Sequence, residues 1–103
     1  MWSWGDVFSP RELTHARAAG DGARALCASF CAKEALLKAL RTPFSPVECE
    51  LCYEPGDERQ ELGLSWTLRH EHGIAEAQVR VSFSADGECR TLVHLFGPPP
   101  GDA

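Results

Sequence analysis

Lys33, Glu34 and Lys38 have the types and spacing to handle a phosphate and a divalent cation. They sit in residues 23–40, a run of Ala, Leu, Lys, Glu and Cys without internal Gly or Pro, which predicts a helix. At about 100° per residue, Lys33 falls in the middle of an apolar stripe formed by Leu26, Phe30, Leu37 and Leu40. A lysine so placed either runs its stem out to water or meets an anion. Glu34 and Lys38 lie on the flank of the same stripe, four apart and acid first, the favourable order for a helical ion pair. Two readings stay open. One is a solvated salt bridge beside a snorkelling lysine. The other is a carboxylate for Mg²⁺ beside lysines that hold phosphates, since Mg²⁺ sites use one or two protein carboxylates and share the substrate's phosphate oxygens.

The other reactive residue types carry weaker signals. Cys49 and Cys52 form a CxxC, but residues 46–53 alternate as a strand does, and positions three apart on a strand point to opposite faces. That spacing does not converge two sulfurs on one metal. Cys27 and Cys31 share a helix face and read as small packing residues. His70 and His72 flank Glu71 in a short helical stretch, where residues two apart do not share a face. His15 and His94 read as ordinary surface or sheet residues. Trp2 and Trp4 are large aromatics close to the first residue, suited to a subunit interface or to docking on the chain's own sheet.

The elements that would position these residues are legible. Ser9 is an N-cap, Pro10 fits the first helical position, Glu12 completes a capping box, and Phe8 and Leu13 are spaced as a hydrophobic staple. This first helix should end near Gly20-Asp21-Gly22. The second should end at Thr42-Pro43. Strands follow over residues 46–53 and through Leu62, Leu64 and Trp66, then a short helix to His72 closed by Gly73. Ala77, Val79, Val81 and Phe83 alternate, Asp86-Gly87 signals a two-residue primed turn, and Cys89, Thr91, Val93 and Leu95 return as the partner strand. The expected class is α+β, with a long amphipathic helix on one small antiparallel sheet. Residues 1–96 form one domain in this reading, and the Pro/Gly-rich residues 97–103 form a disordered tail.

The 103 residues carry a net charge of −5, which argues against a nucleic-acid partner. No apolar run is long enough to span a bilayer, and the start lacks the pattern of a signal peptide. Five cysteines without an export signal suit a reducing cytoplasm.

Three segments together resemble a known family. Phe30-Cys31-Ala32-Lys33-Glu34-Ala35-Leu36-Leu37-Lys38-Ala39 is similar to the F-x-x-K-E-A-x-x-K-A signature of phosphopantetheinyl transferases. Phe8-Ser9-Pro10-Arg11-Glu12 resembles its F-[ST]-P-x-E segment, and Val79-Arg80-Val81-Ser82-Phe83-Ser84-Ala85-Asp86 its V-x-V-S-[LI]-S-H-D segment. The resemblance covers most of residues 7–96 and favours the short holo-acyl-carrier-protein synthase type. It implies transfer of phosphopantetheine from coenzyme A to a serine of an acyl carrier protein with Mg²⁺. Glu34 would be a metal ligand, Glu34 and Lys38 catalytic, and Lys33 and Lys38 contacts to the coenzyme A phosphates. It also implies a homo-oligomer, with a trimer the usual form. The sequence departs from the pattern at Ser29, where an arginine is common, and at Ala85, in place of the histidine. The family's G-[IV]-D-[IL] strand, whose Asp is the other metal carboxylate, has no counterpart in the residues before Phe8, and Asp6 is too close to the first helix to match it. The expectation is therefore a shortened member. The alternative is a repurposed member, either a carrier-protein-binding accessory or a different enzyme of polyketide-type biosynthesis.

Overall fold

The Ser9-Pro10-Arg11-Glu12 start works as a capping box in the computed structural model, which describes residues 4–98. The Glu12 N–H donates to Ser9 Oγ at 3.2 Å, and the Ser9 N–H donates to Glu12 Oε1 at 2.9 Å. One helical turn, α1 (Trp4–Val7), leads into this start, and α2 (Pro10–Ala18) follows it. Trp4 is mostly exposed and stacks on the buried Phe8 ring, 5.7 Å between centroids. Trp2 and residues 99–103 of the expected tail lie outside the described residues.

The long helix α3 (Gly22–Leu40) is capped by Asp21, whose Oδ1 accepts from the Arg24 N–H at 2.9 Å. It ends where Arg41 turns left-handed at φ 58°. Gly22 does more than break the preceding helix. A Cβ there would lie 2.6 Å from the Ala16 carbonyl oxygen, so the bare backbone lets α2 and α3 meet.

The buried face of α3 differs from the expected stripe. Ala25, Ala28, Ser29, Ala32, Lys33 and Leu36 face inward, whereas Phe30 and Leu37 are 47% and 41% exposed. The alanines bring the helix backbone close to the sheet beneath, and the bulky Phe30 and Leu37 have no room on that face. Leu26 and Leu40 pack at its edges.

The strand expected over residues 46–53 is instead a 3-10 turn, Pro46–Glu48, followed by a two-residue strand, β1 (Cys49–Glu50). Local chemistry overrides the alternation here. Pro46 occupies the first helical position, and the Ser45 N–H donates to Glu48 Oε2 at 3.1 Å. The expected single sheet is two. The stretch 59–64 serves both, with β2 (Arg59–Glu61) pairing with β4 (Glu76–Phe83) and β3 (Gly63–Leu64) pairing with β1. The larger sheet has the antiparallel order β2-β4-β5, where β5 is Cys89–Phe96. In sequence between β3 and β4, α4 (Trp66–His72) is capped by Ser65 and closed by Gly73 at φ 63°.

The hairpin register matches the alternation, pairing Ala77 with Leu95, Val79 with Val93, Val81 with Thr91 and Phe83 with Cys89. Its loop is longer than the two-residue turn expected. Ser84 N–H donates to the Glu88 carbonyl and Gly87 N–H to the Ser84 carbonyl, both at 2.9 Å. Gly87 takes φ 82°, the arrangement of a three-residue loop ending in a left-handed glycine. The core lies between α3 and the sheets, where Leu36, Leu62, Leu68, Val79 and Cys49 are buried. No helix among the described residues is long and apolar enough to cross a membrane.

Gly22→Ala should lower the unfolding free energy by about 1–3 kcal/mol, the usual cost of forced overpacking. Gly20→Ala, where nothing lies within 4 Å of the added atom, should change it by less than about 0.5 kcal/mol. Urea unfolding of the two variants checks the difference.

Candidate functional site

Lys33 meets its anion inside the protein. Its ammonium lies 2.9 Å from Glu12 Oε1, and both side chains are almost wholly buried. It also donates to the Pro46 carbonyl at 2.7 Å and to the Cys49 carbonyl. Glu12 is equally occupied. Its Oε1 takes the Ser9 N–H as well as Lys33, and its Oε2 takes the Leu51 N–H at 2.8 Å and the Ser29 hydroxyl. Ser29, standing where the resembling family often has arginine, is thus a donor to the buried carboxylate. Ser9 extends the network outward, its hydroxyl donating to Glu50 Oε2, with Arg11 3.6 Å from the other oxygen of Glu50.

This network joins the start of α2, the middle of α3 and the segment 46–51. A buried ion pair gains little over an apolar contact of the same shape, because desolvating both charges offsets their attraction. Its effect is directional. Glu12 and Lys33 are satisfied in one relative placement of the three segments, and that placement sets the rotation of α3.

With Lys33 turned in, Glu34 is turned out. It is exposed at the edge of a groove of about 570 Å³. Val7, Phe30, Leu37, Pro43 and Phe44 form apolar walls, and Lys33 contributes to the lining. Lys38 is exposed one turn further along α3. Glu34 and Lys38 do not ion-pair with one another among the described residues, so the favourable helical spacing is not used as a salt bridge. The structure therefore brings Glu34 and Lys38 to one open face and commits the Lys33 ammonium to Glu12 and two carbonyls. The groove volume lies within the range of small-molecule sites. An exposed carboxylate beside an apolar channel suits a ligand with an apolar arm and a charged end. Mg²⁺ fits this donor set in one way, with a single exposed carboxylate completed by a ligand's phosphate oxygens and water.

The remaining candidates separate. Cys49 is buried in the core, and burial pushes its thiol up to about 12, whereas Cys52 is half-exposed and its thiol faces the Arg11 carbonyl at 4.0 Å. His15 is in hydrogen-bond contact with the Tyr53 carbonyl at 2.7 Å, and His70 is exposed and stacked on Trp66 at 4.7 Å. His94 lies on β5 opposite Gln78. Cys27 and Cys31 are joined by Cys89, a residue that helix spacing gave no reason to include. Burial, then the neighbouring Cys31, pushes the Cys89 thiol up to about 12; burial also raises Cys31.

Ser29→Ala should remove one donor from a buried carboxylate and cost about 1.5–3 kcal/mol, the range for hydrogen bonds to charged groups. Chemical unfolding of the variant measures it.

Residues 3–84 match the family described as the 4'-phosphopantetheinyl transferase superfamily. No curated protein and no solved structure matches. The matched stretch holds the capping box, the Glu12–Lys33 pair, the groove and Glu34, and it makes up most of the sequence. The chain belongs to the 4'-phosphopantetheinyl transferase superfamily.

Proposed function

We propose that the chain binds coenzyme A along the α3 groove and transfers its phosphopantetheine to a serine of an acyl carrier protein. The observation that carries this reading is Glu34, an exposed carboxylate without an ion-pair partner among the described residues, at the edge of an apolar groove. The pantetheine arm lies against Phe30, Leu37 and Phe44, and the diphosphate reaches the end where Glu34 and Lys38 stand. The carrier serine oxygen bonds to the phosphorus that bears the pantetheine arm, the bridging P–O bond breaks, and the adenosine-bearing phosphate leaves with the serine proton. Lys38 holds the diphosphate oxygens by charge, and Glu34 would hold Mg²⁺. When bound, that ion supplies neutralisation of the phosphate charge, the main requirement of phosphoryl transfer. Lys33 acts at one remove, fixing α3 through Glu12 so that Glu34 faces out.

A second reading has its own support. The Lys33 ammonium is engaged with Glu12 and two carbonyls, and Ser29 stands where the resemblance leads one to expect an arginine, which leaves fewer cations for a diphosphate. In that reading the chain docks a carrier protein without modifying it.

Apo-acyl carrier protein incubated with this protein, coenzyme A and Mg²⁺ should gain the mass of one phosphopantetheine arm. Glu34→Ala should abolish the gain while changing unfolding free energy by less than about 1 kcal/mol, as for exposed charges. Lys38→Ala should raise the KM for coenzyme A about tenfold or more, the equivalent of one charged contact. No gain in mass, with a known transferase modifying the same carrier protein, overturns the transfer reading. Co-elution of the unmodified carrier protein would then favour the accessory.

A further inference from the structure

Three thiols converge away from the groove's apolar walls. The Cys27, Cys31 and Cys89 sulfurs all lie within 4.8 Å of one another, two from adjacent turns of α3 and one from the first residue of β5. Cys27 is exposed, and Cys31 and Cys89 are half-buried, so the cluster is open to solvent on one side. We propose that these three cysteines form a binding site for a thiophilic divalent cation of the Zn²⁺ class, tying α3 to the start of β5.

The geometry carries this in three respects. Zn–S bonds of about 2.3 Å in a tetrahedron place sulfurs about 3.8 Å apart, and the three sulfurs already lie within 4.8 Å of one another. Three thiolates select a soft or borderline cation over Mg²⁺ or Ca²⁺, and the exposed side leaves a fourth position for water or an added ligand. The supporting frame is already fixed. Thr91 donates its hydroxyl to the Cys31 carbonyl at 3.1 Å, holding the helix against β5, and the hairpin register places Cys89 opposite Phe83. Such outer contacts orient metal ligands before the ion arrives. Cys89 lies beyond residues 3–84, the stretch that matches the superfamily. Glu34 stands one turn from Cys31, so a cation at the cluster would also stiffen the segment of α3 that carries the exposed carboxylate.

Binding of Co²⁺ to the reduced, chelator-treated full chain tests the site by its thiolate-to-cobalt charge-transfer absorption. One Co²⁺ per chain should bind and be displaced by Zn²⁺. Cys27→Ser, Cys31→Ser and Cys89→Ser should each weaken binding by more than about tenfold, and Cys52→Ser should leave it unchanged. If a variant fails to fold, alkylation of the wild-type chain mapped by mass spectrometry decides. Zn²⁺ should slow modification of Cys27, Cys31 and Cys89 and not of Cys52. Absence of the charge-transfer band, a band that survives Cys89→Ser, or alkylation indifferent to Zn²⁺ overturns the proposal.

Discussion

The rest of the structure depends on one buried contact, the ion pair between Glu12 and Lys33. A carboxylate and an ammonium removed from water must each find their full set of partners, or the fold loses several kcal/mol. Glu12 finds them in Lys33, Ser29 and the N–H groups of Ser9 and Leu51; Lys33 finds them in Glu12 and the carbonyls of Pro46 and Cys49. Three segments distant in sequence meet at one point. Apolar contacts tolerate sliding, and charged hydrogen bonds do not. The pair therefore acts as a register device for a small domain whose α3 face is made largely of alanine.

The chemistry on the surface follows from that register. Adjacent residues on a helix point about 100° apart, so burying Lys33 brings Glu34 to the edge of the groove. The same rotation leaves Phe30 and Leu37 out of the core, where they become walls of a channel beside the carboxylate. These exposed apolar side chains look wasteful for folding, and they have a use if the channel takes the pantetheine arm of a ligand. The fold thus separates two roles that lie next to each other in sequence. Lys33 supplies position and Glu34 supplies an accessible charge.

Much of this was legible from residues. The capping box at Ser9, the left-handed glycine after α4 and the alternation of β4 against β5 each arise from local rules that tertiary contacts did not override. So did the conclusion that a lysine inside the apolar stripe must meet an anion or escape to water. The identity of the anion was not legible. Glu12 reads as a complete capping residue, and only the tertiary packing brings its carboxylate to Lys33 as well. Hydropathy favours Leu and Phe for the inward face of α3, whereas Ala25, Ala28 and Ala32 occupy it. The strand expected at residues 46–53 gave way to a turn, because proline chemistry and a glutamate reaching back to Ser45 act over fewer residues than a strand needs. Cys89 joins Cys27 and Cys31 only through long-range packing of β5 on α3, which no local pattern encodes.

The most direct test of the register claim is a double-mutant cycle of Glu12→Gln and Lys33→Met, read by chemical unfolding. Each single change should cost about 3–5 kcal/mol by stranding a buried charge. The double variant should be less destabilised than the sum by about 2 kcal/mol or more, because neither charge is left alone. Losses that add to within about 0.5 kcal/mol would show that the two side chains act independently, and would contradict the account.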